Sequence, residues 1–161
     1  MTMRIEELRA FDVRVPFEHS VSGFNSDWWC GGSPIRGRKY FSVFRDGIEV
    51  ARAEVDPSSS DVGEHPGTTT LESIVKIEFF EVREDFRCLD IGRQAVALIA
   101  AQFEGLWITA LSAVAGGFWR AIGWTETLVE GQPSRSIFMF VRAPGSHVDG
   151  QSKLGSGTGD V

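Results

Sequence analysis

A single α/β domain on a mixed, mostly antiparallel sheet of about six or seven strands is what this sequence predicts. Three observations carry that expectation. Short apolar runs with the two-residue period or β-branched content of strands recur along the chain. One stretch, 91–104, instead repeats its apolar residues at the helical period. It lies between two strand-like runs, and a helix in that position makes the flanking strands parallel. At 161 residues, 42% hydrophobic and 11% aromatic, the chain suits one buried core.

The elements follow in order. Residues 4–15 carry Ile5, Leu8, Phe11, Val13 and Val15, with strand alternation strongest near 9–15. Residues 16–38 are punctuated by Gly, Ser and Pro, yet hold Phe17, Phe24, Trp28 and Trp29. So much aromatic surface on an irregular stretch should fold onto the domain, as a binding rim or as ordinary packing. Residues 40–55 form a hairpin of two alternating runs around Asp46-Gly47. The composition of 56–70 (DPSSSDVGEHPGTTT) is that of a flexible loop. A long strand follows over 71–82, then a polar turn, REDFRCLD, that leads straight into the 91–104 helix, which Gly105 ends. Residues 106–111 read as a buried strand parallel to the one before the helix, and 113–122 as a second short helix ending at Gly123. Residues 124–129 and 136–141 close the sheet as an antiparallel pair. The domain thus spans 1–142, and the Gly/Ser-rich 143–161 read as a disordered tail.

Charge and motif content narrow the function. A net charge of −6 argues against a nucleic-acid binder, which needs clustered Lys and Arg, and suits a cationic small substrate such as an amine. No apolar run approaches the roughly 18 residues of a membrane span. The N-terminus lacks the basic-then-apolar plan of a secretion signal. Cys30 and Cys88 stand in no metal-type spacing. A soluble cytoplasmic protein without a metal is the expectation.

The informative unit is strand–turn–helix–strand–helix across 71–124. A helix starting directly after a strand presents free backbone N–H groups, a ready anion site. The donors would be the amides from Arg87 to Arg93, with Gly92 allowing close approach and Arg87 and Arg93 adding positive charge. Within this unit stand Arg87-Cys88-Leu89-Asp90-Ile91-Gly92 and, downstream, Ser112-x-x-Ala115-x-x-Phe118-Trp119-x-x-x-Gly123-Trp124. These resemble the Arg/Gln-x-x-Gly-x-Gly/Ala phosphate loop and the Asn-x-x-Ala-x-x-Phe-Tyr-x-x-x-Gly-Phe pattern of the GNAT N-acetyltransferases. The resemblance is firm over 71–130, extends plausibly to 40–55, and looks closest to short actinobacterial-type members.

That resemblance implies one GNAT-like domain with helices on both faces of the sheet and acetyl-CoA, or another acyl-CoA, as cosubstrate. It implies pantetheine lying along Phe79–Val82, with a backbone N–H near Phe80 or Val82 facing the thioester carbonyl. The cofactor set is then Phe80, Val82, Arg87, Cys88, Leu89, Asp90, Ile91, Gly92, Arg93, Ser112, Phe118 and Trp119. The acetyl group passes to a primary amine of a small molecule or peptide by direct attack, and pairing of short family members makes a homodimer an expectation by analogy. The general base is Glu81 or Glu78, which in a regular strand face opposite sides unless a bulge intervenes. Phe24, Trp28 and Trp29 would form the acceptor side, by stacking on it.

Two departures from the family pattern stand out. Asp90 replaces the first loop glycine, which sets a carboxylate beside a pyrophosphate and suggests an N-cap for the helix. Trp119 stands where many members carry a tyrosine able to protonate the leaving thiolate; that leaves water or Ser112. Together they keep open a second reading, a catalytically degenerate acyl-CoA-binding or regulatory protein.

Overall fold

The computed structural model describes residues 2–9, 16–29, 33–59, 74–88, 90–112, 114–129 and 132–141. Strands β1 (Met3–Leu8), β2 (Lys39–Arg45), β3 (Ile48–Ser59), β4 (Ile74–Val82), β5 (Trp107–Ser112), β6 (Thr125–Val129) and β7 (Gln132–Val141) form one sheet in the order β1-β2-β3-β4-β5-β7-β6. Helix α1 is a single turn (Ser26–Trp29), α2 spans Ile91–Ala101 and α3 spans Gly116–Ala121. Among the described residues β4 and β5 are the one parallel pair; the crossover through α2 that joins them is what makes them so.

Side-chain alternation gives the sheet two different faces. Phe41, Ala53, Val55, Val75, Ile77, Ile108 and Ala110 pack with Val96, Ile99, Ala100 and Phe103 of the α2 side. Trp119 and Trp124 extend that core, and their ring centroids lie 4.6 Å apart. The other face carries Tyr40, Ser42, Arg52, Glu54 and Glu81, all buried. It is covered by Phe17 and Trp29 of the segment that contains α1. Among the described residues helices therefore lie on both faces, the second being covered by one helical turn and loop.

Several boundaries differ from expectation. The first strand lies upstream of 9–15; residues 10–15 fall outside the described set, and Arg9 is not in a strand. Met3 and Ile5 give that strand its half-buried side, packed against a core cluster that includes Ile91 and Ala95 of α2. Of the loop expected over 56–70, residues 56–59 are strand, because β3 continues through Ser59, pairing Asp56 with Lys76 and Ser59 with Ile74; 60–70 lie outside the described residues. Pro57, which has no N–H to donate, stands where that ladder slips register. Helix α2 ends at Ala101 rather than 104, since Gln102 and Phe103 already donate to Ile99 and Ala100 in tighter turns. Helix α3 starts three residues later than expected, at Gly116-Gly117; the Ser112 Oγ accepts the Ala115 N–H at 2.8 Å and holds the preceding turn. Strand 71–82 is described from Ile74, and 143–161 lie outside the described residues.

Candidate functional site

The site begins where β4 and β5 part. Their pairing covers Val75–Ile77 against Ile108–Ala110 and stops there. On its other edge β4 stays paired with β3 to its end, but with a slip: Glu54 faces Phe79 and Val55 faces Ile77, so Glu78 is an extra residue. Such a bulge bends the strand that carries it, here away from β5. Arg83 donates its N–H to the Val50 carbonyl at 2.9 Å, which fixes the alternation beyond the bulge. The amides of Glu81 and Phe79 then point to β3, and those of Phe80 and Val82 point to the open edge. Val82 confirms the direction, because its carbonyl accepts from Arg87 Nε at 3.1 Å.

Beside that edge lies a cleft of about 520 Å³, lined by Val82, Arg87, Cys88, Asp90, Gly92, Arg93, Phe118, Ala121 and Ile122. Its floor is the start of α2, whose first N–H groups have no partner inside the helix. Of the residues predicted for a cofactor loop, Arg87, Cys88, Asp90, Gly92 and Arg93 are therefore brought together; Ile91 does not line the cleft, and Leu89 lies outside the described residues. Ala121 and Ile122 were not expected there; the signal was their place one turn after Phe118.

The loop geometry corrects the capping role expected of Asp90. It occupies the N-cap position but makes no side-chain cap hydrogen bond. Its backbone is left-handed, with φ 61° and ψ 8°, so the conformation a glycine would favour is taken by an aspartate. Cys88 is left-handed too, at φ 61°, and exposed. The Asp90 carboxylate turns to the next helical turn, where Arg93 Nε donates to Oδ1 at 2.7 Å and Nη2 donates to Oδ2. The Arg93 guanidinium holds the Asp90 carboxyl below the usual range, and Asp90 raises Arg93 in return. Gly92 serves packing: a Cβ there would stand 2.8 Å from Phe118 Cε2.

Other predicted residues sit differently. The Ile91 side chain is buried in the core, leaving its amide alone for the cleft. Trp119 is 4% exposed and does not line the cleft. It packs with Phe118 at 5.0 Å and Phe80 at 6.2 Å, because its large ring completes the core under α3. Phe80 stacks on Phe118 at 5.9 Å, between sheet and helix. Ser112 lies at the end of β5 outside the cleft, engaged with Ala115.

The bulge also brings both candidate bases to one face. Glu78 pairs with Arg38 at 2.9 Å and Lys76 at 3.2 Å, beside Glu54 and Asp56. Glu81, 8% exposed, accepts the Trp29 indole N–H at 2.6 Å, the Asn25 amide at 2.9 Å and Arg87 Nη2 at 3.2 Å. One carboxylate thus joins the sheet, the covering segment and the cofactor-side loop. A second tie runs from the Glu84 N–H to the Gly23 carbonyl at 2.9 Å. Trp29 is consequently buried at 1% exposure and offers no stacking face. Trp28 remains 44% exposed against Phe79, at 5.5 Å between centroids. Phe24 lies over the Arg52 guanidinium at 4.1 Å.

The sequence matches no protein-family model and no curated protein. The fold matches solved structures. An acetyltransferase from Thermus thermophilus aligns at 19% identity and TM-score 0.50, over 65% of this chain and 64% of that one. The structure described as AtaTR bound with AcCoA aligns at 15% identity and TM-score 0.53, over 86% of this chain and 92% of that one. The KacTA–DNA complex aligns at 12% identity with the same TM-score and coverage. This chain therefore has the fold of the GNAT N-acetyltransferases. It spans just under two thirds, 64%, of the Thermus chain it matches.

Proposed function

We propose that the protein is an N-acetyltransferase that moves an acetyl group from acetyl-CoA to a primary amine of a small molecule or peptide. The observation that carries this reading is the open edge of β4, to which the Phe80 and Val82 amides point, beside a cleft that Val82 lines and the start of α2 floors. Pyrophosphate at the α2 amides sets pantetheine along that edge, and one of the two β4 amides donates to the thioester oxygen. The amine nitrogen bonds to the carbonyl carbon, the C–S bond breaks, and CoA leaves as a thiolate, which receives through water the second proton that nitrogen sheds as the amide forms. An alkylamine, with a pKa of about 10, must first lose a proton, and Glu81 receives it through water. Of the three donors on Glu81, only Arg87 belongs to the cofactor side; its turning to phosphate releases one lone pair for that task. Trp28 and Phe79 border the acceptor. We place the protein in the cytoplasm, acting as monomer or homodimer. Among the described residues no helix is long and apolar enough to cross a membrane, and the net charge of −6 weighs against a nucleic-acid partner.

One observation favours a second reading. Arg93 is held by Asp90 and Arg87 by Glu81, so both loop cations are already paired. A degenerate acyl-CoA-binding or regulatory protein would need no more than this. Calorimetric titration with acetyl-CoA and with CoA, followed by an amine panel read by thiol release, separates the readings. Binding with turnover supports the enzyme, binding without turnover across the panel supports the regulator, and no binding at millimolar cofactor removes both.

A further inference from the structure

A second cavity, of about 280 Å³, lies under the covering segment on the face away from α2. Its described lining is His19, Ser20, Val21, Ser22, Phe24, Asn25, Ser26, Trp29 and Arg52, with no acidic residue among them. Its size is at the low end for small-molecule pockets, with room for a molecule of a few carbons.

Arg52 is 1% exposed. Its Nε and Nη2 donate to the Glu49 carboxylate at 3.0 and 2.7 Å, and Nη2 also donates to the Glu18 carbonyl at 2.7 Å. Nη1 makes no hydrogen bond among the described residues, although the guanidinium lines the cavity. Phe24 covers its plane at 4.1 Å, which leaves Nη1 as the donor turned to the cavity. The Ser22 and Ser26 hydroxyls on the same lining also have no partner among the described residues. The acids near Arg52 are turned elsewhere: Glu49 holds the opposite edge of the fork, and the Glu18 carboxylate accepts from Ser20. What the cavity offers is convergent donors and one apolar wall.

We propose that this cavity binds the carboxylate of a small organic acid, on the free Nη1 edge of Arg52 with the Ser22 and Ser26 hydroxyls. Nη2 spends both of its N–H groups on Glu49 and Glu18, so one carboxylate oxygen takes Nη1 and the other takes the serine hydroxyls, a charge-assisted set of donors that an ammonium group cannot use. Because Glu49 already balances the Arg52 charge, the ligand gains hydrogen bonds rather than net attraction, and millimolar affinity is expected. Asn25 and Trp29, which wall the cavity, are also two of the donors that hold Glu81. An occupant therefore touches the residues that position that carboxylate. The site stands independently of acetyl transfer.

The test is calorimetric and tryptophan-fluorescence titration of the full chain, without CoA, using propionate, L-alanine and propylamine. Saturable binding of the two acids and none of propylamine is expected. Ser22→Phe, at an exposed position, fills the cavity from the loop and should weaken binding at least tenfold. Arg52→Lys, which keeps the charge and loses the fork, should do the same if it folds. No binding of either acid, or equal binding by Ser22→Phe, overturns the proposal. Where L-alanine binds, thiol release from acetyl-CoA separates two sources of the carboxylate. Acetylated alanine marks the acid as part of the acceptor; bound but unacetylated alanine marks an effector.

Discussion

Asp90 and Arg93 hold each other across the first turn of α2 through two parallel hydrogen bonds, with Asp90 itself in the left-handed region. The pair neutralises the cation closest to the helix start and leaves a carboxylate at the mouth of the cleft. A non-glycine residue in that conformation costs about 1–2 kcal/mol. Replacing Asp90 with Gly relieves the strain, frees Arg93 and removes a like charge from the phosphate position. Acetyl-CoA affinity should rise about tenfold, or ~1.4 kcal/mol, by calorimetry. Unchanged affinity would place the pyrophosphate elsewhere.

Gly92 leads to a packing prediction. A methyl group there meets the Phe118 ring at 2.8 Å, and the ring is already held by Phe80 and Trp119. Gly92→Ala should destabilise the fold by about 1–3 kcal/mol in urea unfolding. Adding Phe118→Leu should recover part of that loss, because the obstructing ring atoms are gone. Equal instability of the single and double variants would refute the contact.

The Glu81–Trp29 bond separates structure from chemistry. Trp29→Phe keeps an aromatic ring and deletes the N–H, and should cost about 1.5–3 kcal/mol of stability for the lost hydrogen bond to a charged group, Asn25 and Arg87 still engaging the carboxylate. Glu81→Gln should lower turnover about 100-fold if Glu81 is the base. Arg87→Gln should then move the pH dependence of turnover more than it moves stability. Should Glu81→Gln leave turnover intact, the carboxylate is only a tie between loop and sheet.

Most of the fold was legible because the signals were local. The hairpin turn at Asp46-Gly47 and the apolar spacing of α2 each depend on neighbours within a few residues. The helix-start loop could be located on the same grounds. What escaped was non-local. Nothing in the neighbourhood of Trp29 indicates that its indole N–H meets a glutamate fifty-two residues away. The bulge at Glu78 is set by pairing with β3, and so one-face placement of Glu78 and Glu81 could be named only as a condition. Arg52 had a trace in sequence: Arg52 and Glu54 alternate with Ala51, Ala53 and Val55, the mark of a strand with one polar face. Burial of that polar face under an irregular segment was not foreseeable from the strand.

Glu54 gives a pH prediction. Burial holds its carboxyl above the usual range, Arg38 opposes this, and Glu78 adds to it. The folded protein therefore binds this proton more tightly than the unfolded chain. The resulting stability is present at low pH and is lost as pH rises from the ordinary carboxylate value through the folded one. Glu54→Gln should thus raise the urea midpoint at pH 7 and change it little at pH 3. A lower midpoint at pH 7 would mean that pairing with Arg38 outweighs burial.

The bulge also makes the cleft a feature of chain length. Glu78 is the spare residue between the Ile77 and Phe79 pairings, so its deletion would leave every other side chain of β4 on its present face. It would, however, straighten the strand and let it run on against β5, sealing the edge that Phe80 and Val82 present. A one-codon deletion would then yield a well-folded protein that no longer takes up acetyl-CoA in a titration. On this view the capacity to hold the cosubstrate is an insertion into a sheet that could exist without it.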